Sequence, residues 1–406
     1  MARINIVVPP FHPKNFTGGT WCIMEYAWGL MKRGHQVNLI PTAPSASPKW
    51  FDKEGLVVVN SPWSRRAAEA LRSCSRFAAK GVKRLLFRTR GLGPAGQEAV
   101  SAGLLAINPA FYSMEVGFAL RLMYVRRILP PADITLATSY QTALPVRLFG
   151  KGQLFYFMQH YEVVFKNESE DPYLAEMEAK ASYNLGLKMI ANSSWLQQRI
   201  VEGVPAAEVR LCPNAINHQV FSGTPKRRAD TQEVAVISYG GRGVEWKGFR
   251  EMAEAVKVAR EALPGMNIHW RVYGSACLPP QNPIANYESL GFLNPPALAK
   301  AYRSADVLLS ASWYESFPLF PLEAMACGLP VVTTQAGTEE YAIPSETAEV
   351  VEARNPRSIA HGLVRLIQDR EYASKIAAAG WEMSQKFTWQ SSIDKMERIL
   401  LGEALK

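Results

Sequence analysis

Cysteine and histidine are scarce in this sequence, and neither is clustered. The five cysteines are an odd number, they are widely spaced, and no C-x-x-C pair occurs among the 406 residues. Neither a disulfide framework nor a zinc knuckle is indicated, so a reducing, cytosolic setting is expected. The six histidines lack metal-ligand spacing and no D-x-D pair occurs. We therefore expect no metal and no other cofactor.

Long apolar runs and common nucleophile motifs are also missing. The apolar stretch at residues 104–125 is interrupted by Asn108, Pro109, Glu115 and Arg121, so no membrane-spanning helix is predicted. The N-terminal segment "MARINIVVPP" lacks the apolar core of a secretory signal. No G-x-S-x-G elbow stands out, and the glycine-rich segment "SYGGRGVEWKGF" is neither a Walker loop nor a G-x-G-x-x-G fingerprint, because Trp246 occupies the position of the third glycine. We expect a cytoplasmic globular chain, in keeping with 48% apolar and 20% charged residues.

What is present is a repeated alternation of short strands and helices. The segment "INIVV", a Pro/Gly loop, the helical "TWCIMEYAWGLMKR" and the strand "QVNLI" form a βαβ unit. A second series begins at "EVAVISYGG", after a polar connection that contains proline. Two such series predict an α/β protein with two doubly wound, Rossmann-like domains. We place the boundary near Pro213, which gives domains at 1–212 and 213–387.

The segment "WYESFPLFPLEAMACGLPVV", residues 313–332, carries two carboxylates eight residues apart. Glu315 is predicted in the loop after the strand "DVLLSAS", and Glu323 in the following helix. Ligands of open α/β sheets bind at the carboxyl ends of strands, so both glutamates can face one ligand. The start of that helix also suits a phosphate. A phosphate flanked by carboxylates that accept hydroxyl hydrogen bonds is the arrangement a nucleotide sugar requires.

A second phosphate-binding pattern lies upstream, in "SYGGRGVEWKGF". Arg242 and Lys247 are five residues apart in this glycine-rich loop, which follows the first strand of the second domain. Glycines allow the backbone to approach a diphosphate, and the two cations neutralise its charge. An isolated R-x4-K pair is also compatible with a solvated turn, so this motif gains meaning only beside the two glutamates.

Together these residues resemble the retaining GT-B glycosyltransferases of family 4, of the type that builds cell-surface glycans. The resemblance is strong from Val234 to Glu352 and weaker, though continuous, through the N-terminal half. It implies two Rossmann-like domains facing an interdomain cleft, with the acceptor on the first domain and the nucleotide-sugar donor on the second. It also implies that the last helix, at residues 388–406, packs back on the N-terminal domain. Surface polysaccharide or lipopolysaccharide biosynthesis is the implied setting.

The resemblance assigns roles to the charged residues of both motifs. Glu323 is expected to bind the ribose hydroxyls of the donor, and Glu315 to contact the transferred sugar. Arg242 and Lys247 are expected to hold the diphosphate and to stabilise its charge as it departs. Because these two cations neutralise the diphosphate, the resemblance implies no metal. Taken singly, each glutamate would also fit a solvated surface carboxylate.

Further donor contacts are implied at the ends of strands. Ser316 and Phe317 follow the first glutamate, and Gly274 and Phe292 lie near the expected nucleotide base. Many relatives carry glycine at the positions that Ser316 and Pro318 occupy here. Proline has no N–H group, so one potential phosphate donor is absent from this sequence.

The N-terminal half supplies fewer candidates. Gly18 and Gly19 match a flexible glycine pair of the family near the sugar and phosphates, although they also fit a plain turn before a helix. His160, in "FMQHYE", follows a strand and is implied as a catalytic residue, with a hydrogen-bonded structural histidine as the alternative. Glu162 is either a base, an acceptor contact or a structural carboxylate. Glu25 in the first helix is interpreted as structural.

The positive charge is concentrated in one segment. Nine basic residues and one acidic residue lie between Ser61 and Arg90, so nine minus one gives +8 of the net +9. Helical spacing places these cations on one face and apolar residues on the other, which is typical of a membrane-surface helix. We predict that helix 64–90 binds anionic lipid on the inner face of the plasma membrane. An ordinary solvated helix is the alternative; nucleic-acid binding is disfavoured because interleaved aromatic residues are missing.

The sequence therefore predicts a glycosyltransferase of the hexosyltransferase class. It would move a sugar from a nucleotide-diphosphate donor to a saccharide or lipid-linked acceptor. Two alternatives stay open. One is another GT-B activity, such as a sugar-nucleotide epimerase or a phosphorylase. The other is a non-catalytic, membrane-associated scaffold, which the presence of both glutamates and both cations disfavours.

Overall fold

The chain forms two compact units, each described here by itself. A computed structural model describes residues 1–11, 17–43, 45, 48, 50–51, 53–59, 116–164, 172–225, 227–241, 244–274 and 283–402. The first unit comprises mainly Met1–Ile190 and Ile200–Val209, and the second Ala191–Arg199 and Arg210–Ile399. The predicted domain limits at residues 212 and 387 stay predictions, as does the packing of the last helix on the first unit. The proposed membrane helix at 64–90 lies outside the described residues.

In the described part of the chain, the first sheet contains seven strands in the order β3-β2-β1-β4-β5-β6-β7. The strands are β1 (Arg3–Val8), β2 (Gln36–Pro41), β3 (Val57–Val58), β4 (Ile134–Ala137), β5 (Gln153–Met158), β6 (Lys188–Ala191) and β7 (Val209–Leu211). The pairs β1–β2, β1–β4, β2–β3 and β4–β5 are parallel. The accompanying helices are α1 (Gly18–Lys32), α2 (Val116–Ile128), α3 (Tyr140–Phe149), α4 (Pro172–Tyr183) and α5 (Ser194–Gly203).

The second sheet contains six strands in the order β10-β9-β8-β11-β12-β13, and its paired strands are parallel. The strands are β8 (Glu233–Tyr239), β9 (Asn267–Tyr273), β10 (Glu288–Gly291), β11 (Val307–Leu309), β12 (Val331–Thr334) and β13 (Glu349–Val351). The helices are α6 (Phe249–Ala262), α7 (Pro295–Arg303), α8 (Leu319–Ala326), α9 (Pro356–Gln368), α10 (Arg370–Ser384) and α11 (Trp389–Leu401). The predicted fold class, two parallel-sheet α/β domains, is confirmed.

Each sheet has a point at which the strand order reverses direction. In the first sheet it lies between β1 and β4, and in the second between β8 and β11. Loops that leave the carboxyl ends of these neighbouring strands run to opposite faces, so a crevice opens between them. In the second unit these are the loops that carry Lys247 and Glu315. The topology therefore brings the two predicted motifs to one edge of the sheet.

Apolar side chains fill both faces of the second sheet, as its buried strands require. One face packs Trp270, Val256 and Leu363 in a shared core with α6 and α9. The other packs Tyr302 and Leu322 with α7 and α8. The sheet is thus held rigidly between two helical layers, and the loops at its carboxyl edge start from fixed points. Within the described residues, no helix is both long and apolar enough to cross a membrane.

Candidate functional site

Lys247 and Glu315 are in direct contact at the point where the second sheet reverses direction. Lys247 ends a short 3-10 turn, Glu245–Lys247, in the connection from β8 to α6, and Glu315 lies in the loop after β11. The Nζ atom of Lys247 forms an ion pair with Oε1 of Glu315, and the two side chains are only 18% and 13% exposed. Ser312 donates a hydrogen bond from its hydroxyl to the same oxygen, at 3.2 Å. The cation is therefore held by the carboxylate of Glu315.

Two glycines let the loops of this site pack closely. Gly248 has a φ of 68°, and a Cβ atom there would lie 1.9 Å from the carbonyl oxygen of Ala311. Gly337 has a φ of 82°, and its Cβ would lie 2.2 Å from the carbonyl oxygen of Glu315. Both the left-handed backbone and the missing side chain are needed, so only glycine fits without displacement. The position of Glu315 relative to Lys247 depends on these two contacts.

Aromatic rings complete the surroundings of Lys247. Its Nζ atom lies 4.3 Å from the ring centroid of Trp246 and 5.8 Å from that of Tyr239. A cation over an aromatic face is stabilised by the quadrupole of the ring. Lys247 is thus oriented by a carboxylate and two aromatic faces, and it lies where an anion at the sheet edge could replace the carboxylate as its partner.

Glu323 is buried in α8 and lacks a full set of hydrogen bonds. Its residue is 9% exposed, and burial raises the pKa of its carboxyl group to about 8. Its Oε2 atom has no hydrogen-bond partner among the described residues. A buried carboxylate oxygen without a donor is costly, and a ligand hydroxyl would supply that donor. This is the property that the predicted ribose role requires.

The beginning of α8 faces the same edge of the sheet. The helix starts at Leu319, and its capping residue, Pro318, offers no side-chain hydrogen bond. The hydroxyl of Tyr341 donates to the carbonyl oxygen of Pro318 at 2.6 Å, which fixes the turn. The first N–H groups of a helix have no partner within the helix, and they suit a phosphate oxygen. The helix start therefore supplies donors beside the two glutamates.

Ser316 and Phe317, both predicted donor contacts, have buried side chains. Ser316 is 1% exposed and Phe317 is 6% exposed. The Phe317 ring packs edge-on against Tyr341 at 5.6 Å and lies 5.8 Å from the ring of Phe387. Its side chain belongs to the core, so a donor would meet this position through the backbone. The role predicted for both residues stays a prediction.

Gly274 and Phe292 lie beyond the ends of two adjacent strands. The N–H of Gly274 donates to the carbonyl oxygen of Gly291 at 2.8 Å, which joins the ends of β9 and β10. Phe292 follows β10 directly and is 67% exposed. A large exposed ring at the carboxyl edge of the sheet, where the ligand is expected, can stack on a flat group such as a base. Arg242, the other predicted cation, lies outside the described residues.

The remaining candidates, Gly18, Gly19 and His160, belong to the first unit. Gly18 and Gly19 open α1, which follows β1, and a Cβ atom at Gly19 would lie 3.5 Å from Cβ of Gln159. The structure therefore brings the glycine pair beside the loop of His160, at the reversal point of the first sheet. His160 is half-buried, and its Nδ1 atom lies 3.3 Å from the carbonyl oxygen of Tyr161.

Glu162 lies at the centre of a buried polar network next to His160. Its Oε2 atom accepts hydrogen bonds from the hydroxyl of Tyr156 and, at 2.8 Å, from the backbone N–H of Tyr140. Its own N–H donates to the hydroxyl of Tyr183 at 3.0 Å. Burial raises the pKa of Glu162 to about 8, although both accepted hydrogen bonds lower it. The carboxylate ties β5, α3 and α4 together, which supports the structural interpretation left open by the sequence.

Glu25 also has a structural environment. Its side chain is 1% exposed and forms an ion pair with Lys53, whose Nζ atom lies 4.4 Å from the ring centroid of Trp28. Ser312 and Gly337 lie at the site but were not among the residues that the sequence motifs indicated. Ser312 follows the buried strand β11 as a polar residue, and that position at a carboxyl end is the signal that identifies it.

Within the described residues, no three His, Cys, Asp or Glu side chains are grouped so that they could hold a metal ion.

Comparisons with known proteins show which proteins the chain resembles. Residues 234–369 match the family model described as "Glycosyl transferases group 1". The chain is 26% identical over 284 residues to the O-antigen biosynthesis protein RfbC of Myxococcus xanthus. The aligned region covers 68% of this chain and 21% of RfbC. The chain spans less than two thirds of the length of the curated relatives it matches.

Solved structures extend the similarity to the whole fold. The Anabaena protein HepE in complex with UDP-glucose superposes with a TM-score of 0.65 and 14% identity, over 99% of this chain and 100% of that one. WaaG, a glycosyltransferase involved in lipopolysaccharide biosynthesis, superposes with a TM-score of 0.60 and 15% identity, over 98% and 100% of the two chains. The chain therefore has the GT-B fold, and residues 234–369 of its second unit match the group 1 glycosyl transferase model.

Proposed function

We propose that this chain, whose second unit carries a group 1 glycosyl transferase domain, is a retaining glycosyltransferase of family 4. It moves a sugar from a nucleotide-diphosphate donor to a saccharide or lipid-linked acceptor. The observation that carries the proposal is the Lys247–Glu315 pair at the reversal point of the second sheet. Beside this pair lie a buried, incompletely bonded Glu323 and the open start of α8.

The donor site follows from the chemistry of these groups. Lys247, with Arg242, binds the diphosphate, and the N–H groups at the start of α8 contact a phosphate oxygen. Glu323 accepts hydrogen bonds from the ribose hydroxyls, which satisfies its buried oxygen. Arrival of the diphosphate gives Lys247 a second anionic partner. The carboxylate of Glu315 is then released to accept hydrogen bonds from the transferred sugar.

The chemical step depends on stabilising the leaving diphosphate. Negative charge grows on the leaving oxygen as the glycosidic bond breaks, and a fixed cation is most stabilising at that moment. Lys247 is pre-oriented for this role by the rings of Trp246 and Tyr239. His160 on the first unit is proposed as a catalytic residue of the acceptor side. No metal or cofactor is included in the proposal.

The biological setting is proposed from the similar proteins. RfbC is described as an O-antigen biosynthesis protein and WaaG as a glycosyltransferase of lipopolysaccharide biosynthesis. HepE was solved with UDP-glucose. We therefore propose a surface polysaccharide as the product and test a uridine nucleotide first.

A binding and product assay tests the proposed activity. Thermal-shift measurements with UDP, GDP, dTDP and ADP identify the nucleotide, and the matching sugars are then tested for transfer. Retention is read from the anomeric configuration of the product by nuclear magnetic resonance. An epimerase would change the donor sugar without an acceptor, and a phosphorylase would require free phosphate. A chain that binds none of the four nucleotides would refute the transferase proposal and leave the scaffold.

Membrane association is proposed separately, because it depends on charge in the sequence. The cationic helix at 64–90 is proposed to hold the enzyme on the inner face of the plasma membrane. Anionic vesicles should sediment the wild type at low salt and release it as salt rises. Replacing Arg72, Arg76, Lys80 and Lys83 with glutamine should abolish sedimentation.

A matched control removes equal charge from exposed positions of the second unit. The control substitutes glutamine at Lys257, Lys300, Lys375 and Lys386. This variant should sediment like the wild type. If both variants lose sedimentation equally, total charge rather than the helix is responsible; if neither loses it, the cations of the helix do not hold the chain on the vesicles. Either result refutes the membrane helix.

A further inference from the structure

Two aromatic residues immediately before the proposed catalytic pair stack on each other. Trp246 precedes Lys247, and Tyr314 precedes Glu315. The ring centroids of Trp246 and Tyr314 are 5.4 Å apart, and the ring planes differ by 17°. Both side chains are half-buried. The stack therefore joins the loop that follows β8 to the loop that follows β11, directly beside the ion pair.

Trp313 adds two further connections between the same loops. Its backbone N–H donates to the carbonyl oxygen of Trp246 at 2.8 Å. Its indole Nε1 donates to Oε1 of Glu251 in α6 at 3.0 Å. The guanidinium of Arg354 lies 3.9 Å from the centroid of its ring on the other side. The loop of Glu315 is thus bonded to both the turn and the helix that flank Lys247.

We propose that Trp246 and Tyr314 are positioning residues that hold the ammonium group of Lys247 at the sheet edge, where it can exchange Glu315 for the donor diphosphate. This inference rests on the proposed function, because it assigns a role in the same site. A lysine side chain has many rotamers, and fixing it costs conformational entropy. The Trp246 face restricts Lys247, while the stack on Tyr314 fixes that face relative to Glu315.

The role depends on aromatic rings and not on apolar volume. Leucine fills similar space but has no quadrupole for the ammonium group and no flat face for stacking. Phenylalanine keeps both properties, with a smaller face. The two rings therefore predict a specific order of variants, in which Phe resembles the wild type and Leu does not.

The first test measures nucleotide affinity by calorimetry, with whichever of UDP, GDP, dTDP and ADP the wild type binds. Trp246→Leu and Tyr314→Leu should each bind at least about fivefold more weakly, while Trp246→Phe and Tyr314→Phe stay within about twofold. In a Lys247→Ala background, Trp246→Leu should cause no further loss. Tyr372→Leu serves as the matched control, because Tyr372 also stacks with a cation, Arg365 at 3.9 Å, away from the site.

Three results would overturn the inference. One is a Phe variant as weak as the Leu variant, since the ring would then be irrelevant. Another is a full additional loss in the Lys247→Ala background, which would show that Trp246 acts on the nucleotide itself. The third is an equal loss in Tyr372→Leu, which would indicate general destabilisation.

A second test needs no nucleotide. The coupling between Lys247→Ala and Glu315→Gln is measured from urea unfolding in the wild-type and Trp246→Leu backgrounds. The coupling should fall to less than about half when the Trp246 ring is removed, and an unchanged coupling would refute the positioning role. Failure of the proposed function would look different: the wild type would bind none of the four nucleotides, whereas this coupling would still be measured.

Discussion

The ion pair between Lys247 and Glu315 predicts an unusual effect of substituting the glutamate. If Lys247 must exchange this carboxylate for the donor diphosphate, then Glu315→Gln should bind a nucleoside diphosphate more tightly than the wild type does. The same variant should turn over more slowly, by about a hundredfold or more, because the sugar loses a charged acceptor. A glutamate that only contacts the sugar would leave the affinity for the free nucleotide unchanged.

The magnitude follows from the burial of the pair. Hydrogen bonds to charged groups contribute about 1.5–3 kcal/mol, and a neutral acceptor provides roughly half of that. Both side chains are less than a fifth exposed, at 18% and 13%, so solvent screening is limited. Releasing about 0.75–1.5 kcal/mol tightens binding by about threefold to tenfold. Removing the repulsion between Glu315 and the phosphates acts in the same direction.

Isothermal calorimetry with the nucleoside diphosphate alone is the decisive assay. Ser312→Ala removes the other hydrogen bond to Glu315, at 3.2 Å, without changing any charge. Glu254→Gln removes one negative charge from α6, where Glu254 pairs with the exposed Arg250 at 3.0 Å. Glu254→Gln should leave the affinity for the nucleoside diphosphate nearly unchanged. Weaker nucleotide binding by Glu315→Gln would refute the exchange of partners by Lys247.

Three further outcomes are expected. Glu323→Gln should weaken donor binding with little change in unfolding, and equal affinity by calorimetry would contradict the ribose role. Lys247→Ala should strongly reduce turnover while the free energy of unfolding changes little. Turnover by the wild type should persist in the presence of a chelator, and complete loss of turnover with the chelator would contradict metal-free catalysis. Burial raises the pKa of Glu162 from 4.5 to about 8, so the folded state binds more protons between these values. The contribution of Glu162 to the free energy of unfolding is therefore fully present below about pH 4.5 and is lost as pH rises through about 8. The free energy of unfolding falls by at most about 1.4 kcal/mol per pH unit in this range. Glu162→Gln should flatten this fall in urea unfolding measured across that range, and an unchanged slope would contradict the assignment.

Much of the fold could be predicted because buried parallel strands leave short, continuous apolar runs. The run "EVAVISY" appears as β8, and "PVVTT" contains β12, Val331–Thr334. The reversal of strand order could not be read from these runs, because it depends on which strands pair across the sheet. The pairing of β11 with β8 is what places Glu315 beside Lys247, although 68 residues separate them.

The candidate site was predicted by residue type but not by environment. The motif predicts Glu315, Glu323 and Lys247 as site residues, whereas the contact between Lys247 and Glu315 depends on tertiary packing. Phe317 is an example: its donor contact stays a prediction, but the sequence did not indicate that its ring packs into the core with Tyr341. Local sequence does not determine which side chains of a loop are buried, because their burial depends on the helices that pack against the loop.

The glycines at 248 and 337 bear on how relatives of this chain should be interpreted. A homologous sequence can keep the lysine and both glutamates and still have alanine or a larger residue at one of these two positions. By the motif alone such a homologue would be classed as active. The added Cβ would meet a carbonyl oxygen at 1.9 or 2.2 Å and force the two loops apart. We therefore expect that loss of either glycine marks a homologue with a distorted site, even where every charged residue of the motif is kept.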